Sequence, residues 1–77
     1  MKFITVNTLE AHLKNDLDLN YINIDHIIKI TNHYIKNDNT GYYDIYAKIL
    51  LSNGSEIICE ESIEHLEKEY KEFFKQY

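Results

Sequence analysis

The chain has 77 residues and a net charge of −5; every basic side chain is lysine, and proline and tryptophan are absent. An acidic surface without arginine argues against direct nucleic-acid binding, which neutralises phosphates with basic side chains and reads guanine with a bidentate guanidinium. The single cysteine excludes a disulfide within these residues and fits a reducing compartment.

No apolar run reaches the length of a membrane span, and the opening Met-Lys-Phe-Ile-Thr-Val-Asn is too short and too interrupted for a signal peptide. We expect one cytoplasmic domain over residues 1–77. A core of this size is marginal, since roughly 60% of the unfolded surface is buried at about this length. With no disulfide to help, association with another copy is the expected support. The heavy use of Asn, Ile, Lys and Tyr suggests an AT-rich genome, and so a bacterium or its phage.

Residues 2–8 read as a strand, with Ile4 and Val6 on one face and Phe3 and Thr5 on the other. Leu9, Leu13 and Leu17 recur every four residues. The polar run that follows has turn chemistry, so a helical turn and then a loop are expected. Residues 21–30 alternate between strand and helical-turn patterns. A bend at residues 23–26, capped by Asn23, then separates a short strand from a longer one over 27–35. Residues 36–41 form a polar loop, where Gly41 can supply a positive φ.

Residues 42–77 organise the rest: strand, turn, strand, helix. Asn53-Gly54 predicts a two-residue type I′ hairpin loop. That loop places Leu51 opposite Glu56, Leu50 opposite Ile57, Ile49 opposite Ile58 and Lys48 opposite Cys59. Tyr43, Ile45, Ala47, Ile49, Leu51 and Ile58 then share the core face. Tyr46, Lys48, Leu50, Ile57 and Cys59 share a second face, too apolar for a solvated sheet surface. Another segment or another copy is expected to cover it. A helix should start at Ser62, a good N-cap, with Glu60, Glu61 and Glu64 at its positive end. Ile63, Leu66, Tyr70, Phe73 and Tyr77, with Phe74 beside them, form an amphipathic stripe at heptad spacing. The expected fold is α+β, a small antiparallel β-meander with a C-terminal amphipathic helix.

Residues 21–30 (Tyr-Ile-Asn-Ile-Asp-His-Ile-Ile-Lys-Ile), 49–58 around Asn53-Gly54, and Glu60-Glu61-Ser62-Ile63 at the helix start resemble the small FlbD/SwrD-like bacterial proteins associated with flagellar function. Similar short sequences occur on phages and mobile elements. The resemblance implies a small non-enzymatic accessory protein and supplies no catalytic residues. This chain has longer segments at 9–20 and 36–42 and a longer acidic helix.

The chemistry-bearing residues point the same way. His12, His26, His33 and His65 are scattered without zinc-finger spacing, and Cys59 has no partner cysteine, so no metal or other cofactor is expected. Cys59 reads as a small buried hydrophobe. The only glycines are Gly41 and Gly54, so there is no phosphate-cradling loop. Tyr34, Tyr42, Tyr43 and Tyr46, with Leu50 and Ile57, form the candidate partner-binding face, because tyrosine offers rigid contact area and a hydroxyl. Glu60, Glu61, Glu64, Glu67 and Glu72 form an acidic face. The expected function is a self-associating protein–protein interaction module with a protein partner, which the acidic balance allows to be basic. The alternative is an acidic phage-encoded inhibitor of a host nucleic-acid enzyme, placing carboxylates where DNA phosphates would sit.

Overall fold

The computed structural model describes residues 3–71. Its elements are β1 (Phe3–Asn7), α1 (Leu9–Leu13), β2 (Leu19–Asn23), a 3-10 turn (Ile24–His26), β3 (Ile27–Lys36), β4 (Tyr43–Leu51), β5 (Glu56–Ile58) and α2 (Ile63–Glu69). The domain is α+β, with two antiparallel sheets, β1–β2 and β3–β4–β5. None of the described helices is long and apolar enough to cross a membrane. Phe73, Phe74 and Tyr77, the far end of the expected helical seam, and Glu72 of the acidic face lie outside the described residues.

The N-terminal part follows the alternation of its residues. Ile4 and Val6 are buried and Phe3 is exposed. Thr8 caps α1 by accepting the N–H of Ala11. Only the first leucine of the i, i+4 row is covered: Leu9 is buried, while Leu13 and Leu17 are exposed. The row breaks because Asn15, at φ 55, ends the helix in the left-handed region that Asn tolerates better than most residues. The bend after β2 is as expected, with the Asn23 side chain accepting the Asp25 N–H. A bulge follows at Ile28, between the paired residues Ile27 and Lys29. It resets the alternation, so that Ile27 is buried and Ile30 also packs on the core while Ile28 is exposed.

The β4–β5 hairpin is where the expectation fails by one residue. Gly54 N–H donates to the Leu51 carbonyl at 3.0 Å, and Leu51 N–H donates to the Ser55 carbonyl at 2.9 Å. Gly54 has φ 89, whereas Asn53 is not in the positive-φ region. The connection is therefore a three-residue loop, Ser52-Asn53-Gly54, ending in a left-handed glycine rather than a two-residue type I′ turn. Asn53 contributes its side chain instead, accepting the Ser55 N–H. Leu50 pairs with Glu56, Ile49 with Ile57 and Lys48 with Ile58. A one-residue slip moves every β5 side chain to the opposite face. Ile57 joins the core side, Ile58 leaves it, and Cys59 is fully buried.

The core gathers Ile4, Val6, Ile22, Ile27, Ala47, Ile49, Cys59 and Leu66. Ala47 is its backbone hub: its carbonyl accepts the Cys59 N–H, and its N–H donates to the Glu61 carbonyl, both at 2.8 Å. The two sheets meet beside it, where Thr8 bridges Cys59 and Glu60 N–H donates to the Asn7 carbonyl. Ser62 caps α2 by accepting the His65 N–H. The helix then buries Leu66 completely and packs Ile63 and Tyr70 against the core. The Tyr70 hydroxyl accepts the Thr5 N–H at 3.0 Å and donates to the Thr5 carbonyl at 3.2 Å. One side chain thus satisfies both backbone groups of Thr5 on the edge of β1 that faces away from β2.

Candidate interaction surface

Strands β3 and β4 are the longest in the domain and pair from Ile27–Leu51 out to Lys36–Tyr43. Their inner half covers the core; their outer half is an arm that extends beyond it. On the inward row of β4, Ala47 and Ile49 have no exposed surface, yet Ile45 is 47% exposed and Tyr43 62% exposed. Tyr34, opposite Ile45 in the register, is 56% exposed, and Tyr42 at the arm's loop is 77% exposed. The loop itself is well built, with Gly41 at φ 77 and the backbone bonds Gly41 N–H to Asn37 carbonyl and Asn37 N–H to Tyr42 carbonyl. The tyrosines therefore stand on a defined hairpin.

Of the six expected contact residues, Tyr34, Tyr42 and Tyr43 lie exposed on the arm, and Tyr46 and Leu50 are half-buried on the opposite face of β4. Ile57 does not join them. Its pairing with Ile49 turns it inward, so the expected Tyr46/Leu50/Ile57 patch does not exist. Its place beside Lys48 is taken by Ile58, and the Lys48 ammonium reaches Glu56 at 3.6 Å on that face.

A groove that sequence reasoning missed runs by α1. It is lined by Leu9 and Leu13 of the helix together with His33, Ile35 and Ile58, and holds about 370 Å³. Leu13 is 67% exposed here and Ile35 37%. The sequence signal was Leu13 itself, a large apolar side chain on a helix too short to bury it.

The acidic residues divide into two sets. Glu60 is engaged internally: its carboxylate accepts from the Asn7 amide at 3.3 Å and meets His12 Nδ1 at 2.8 Å. Asn7 is buried, and its own side-chain oxygen accepts the Asp18 N–H, so this network ties the loop after α1 to the β5–α2 connection. Glu61 and Glu69 flank His65 Nε2 at 3.5 and 3.6 Å. The ligand atoms of these three residues lie within 4.8 Å of one another, with His65 and Glu69 on α2 and Glu61 just before its cap Ser62, a grouping legible in the sequence as Glu-x3-His-x3-Glu. Burial, and then the neighbouring Glu69, push the Glu61 carboxyl above its ordinary range, against the opposing pull of His65. One Glu61 oxygen is buried without a hydrogen-bond partner. The grouping crowds two carboxylates against one imidazole at the start of α2. Glu64 and Glu67 remain exposed, and Glu64 meets Lys68 at 3.9 Å.

Cys59 is buried, and burial, followed by the charges of Glu61 and Glu60, pushes its thiol up to about 12. A thiol held in that form is a packing group and a poor nucleophile. No family model matches the chain. Comparison with curated proteins and with solved structures likewise returned no match.

Proposed function

We propose that the protein is a small non-enzymatic interaction module that self-associates and binds a protein partner. The observation that carries this reading is the arm: Tyr34, Tyr42, Tyr43 and Ile45 are all more than a third exposed at the outer end of one hairpin. Contiguous apolar surface of this kind marks a contact site, and tyrosine is favoured there because it gives area at low entropic cost. The α1 groove, with Leu13, His33, Ile35 and Ile58, offers a second apolar seat on the same molecule. The resemblance of residues 21–30, 49–58 and 60–63 to FlbD/SwrD-like proteins supports a cytoplasmic bacterial or phage accessory role.

An acidic inhibitor is the less supported alternative, because Glu60 and Glu61 are held against His12 and His65. The test is co-purification from the native cell, followed by binding kinetics with the partner so found. Tyr42→Ala and Leu13→Ala are expected to raise the off-rate, and Glu64, Glu67 and Glu72 changed together to Gln are expected to alter it little. Steep salt dependence that disappears in the triple Gln variant would overturn this reading in favour of the acidic inhibitor.

A further inference from the structure

We infer that Glu61, His65 and Glu69 form a binding site for one divalent transition-metal ion, with zinc as its best-fitting occupant. Zinc-finger spacing is absent from the sequence, but Glu-x3-His-x3-Glu sets an imidazole between two carboxylates along one flank of α2. The distances suit an ion held among the three groups. His65 Nε2 stands 3.5 Å from Glu61 Oε1 and 3.6 Å from Glu69 Oε2. Both separations exceed the N–H···O hydrogen bond of about 2.7–3.2 Å. They match instead the edge of a coordination tetrahedron: with metal–ligand bonds of about 2.1 Å, two ligand atoms stand about 3.4 Å apart. The third edge lies within 4.8 Å, and rotation of the half-exposed Glu69 side chain closes it further.

A separate observation points the same way. The other Glu61 oxygen, Oε2, is buried and accepts no hydrogen bond. An ionised carboxylate in that position is costly, and a cation on the same carboxyl group offsets the cost. It also relieves the repulsion between Glu61 and Glu69, two like charges drawn to one imidazole. The fold positions the ligands. The Glu61 carbonyl accepts the Ala47 N–H at 2.8 Å, which ties this residue to the buried part of β4. The His65 N–H donates to Ser62 Oγ at 3.2 Å, and the next residue, Leu66, is completely buried, so the first turn of α2 is anchored under the imidazole. One nitrogen and two carboxylate oxygens suit zinc and its neighbours better than calcium or magnesium, which prefer shells of oxygen alone. A fourth position, on the exposed side of the group, is left to water. The ion would join a residue before the helix cap to the last residue of α2, and so stabilise the helix on the core.

The test is calorimetric titration of zinc chloride into the full chain, free of any affinity tag and first treated with a chelator. His65→Ala, Glu69→Gln, Glu61→Gln and His12→Ala are measured alongside. His12 belongs to the other histidine–glutamate contact, with Glu60, and controls for adventitious zinc. The His65 and Glu69 side chains are 59% and 47% exposed, so circular dichroism should show those variants folded even if Glu61→Gln is not. The expected result is one zinc per chain with a roughly micromolar dissociation constant, and a shift of the His65 ring signals in the NMR spectrum. The thermal midpoint should rise by several degrees at about 100 times that concentration and return with EDTA. His65→Ala and Glu69→Gln should weaken binding at least about tenfold, and His12→Ala should leave it unchanged. No heat and no midpoint shift at about 100 micromolar zinc, a concentration well above a micromolar constant, overturns the inference. Binding that survives His65→Ala, or that is lost in His12→Ala, overturns it as well, since the ion then sits elsewhere. The site is independent of the arm: a chain that binds zinc but no protein partner would defeat the proposed function and leave this inference standing.

Discussion

Gly54 shows how one residue can decide a fold locally. Its φ of 89 lies in the region that side chains rarely adopt, and a Cβ added there would meet nothing within 4 Å. The cost of a substitution is therefore backbone strain with no steric clash. Gly54→Val is expected to lose about 1–3 kcal/mol, seen as a thermal midpoint lower by several degrees; Gly54→Asn should lose less. Cys59 makes a second prediction at this scale. With its thiol pushed up to about 12 in the fold, a disulfide reagent at pH 8 should label it only as fast as the core opens, and urea should accelerate labelling. Glu61 makes a third. Its folded carboxyl titrates above its ordinary value of 4.5, so the native state holds that proton more tightly than the unfolded chain. The stability this proton contributes is present below 4.5 and is lost as pH rises through the folded value. Glu61→Gln should flatten the fall in thermal midpoint over that window and leave the variant the more stable of the two at neutral pH. Melts from pH 4 to 7 that run parallel in both proteins would contradict the assignment.

At the scale of elements, most boundaries were written in cap chemistry. Asn23 and Ser62 act as the caps their residue types suggested, and Gly41 takes the positive φ foreseen for its loop. These are local preferences, and local sequence carries them. The register of β4 against β5 was not local. Ser52-Asn53-Gly54 can close a hairpin with either two or three loop residues, and the choice is made by which β5 side chains the core will accept. Burial of Cys59 and Ile57 outweighs the turn preference of Asn53, and cysteine's strong tendency to be buried was the available clue. The contact face was half legible for the same reason: the tyrosines could be picked out by type, but Ile57 changed sides with the register. The α1 groove was not legible, because it needs the position of β3 relative to a helix eight residues into the chain. Tyr70→Phe tests an element-level tie. Losing the hydroxyl that serves both backbone groups of Thr5 should cost about 1–2 kcal/mol, measured by urea unfolding, with the helix itself intact by circular dichroism.

The whole molecule is anisotropic, with extents of 41 × 24 × 23 Å and a core placed among β1, β4, Cys59 and Leu66 while the arm extends past it. Stability should follow that layout. Hydrogen exchange is expected to be slowest at the amides of Ala47 and Cys59, which bond in the core, and fastest from Lys36 to Tyr43 at the arm's end. The tie between Thr5 and Tyr70 spans 65 positions, and it bears on how the protein is made. Ile4 and Val6 are among the first core side chains to leave the ribosome, but their neighbours Cys59 and Leu66 come close to the last. Strand β2 can pair with β1 early, but the core side of that pair stays uncovered until Cys59 and Leu66 are made. The core should therefore close only once residues 59–70 have been made, leaving the far edge of strand β1 unclaimed, open to chaperones or to another nascent copy, until Tyr70 emerges to take it.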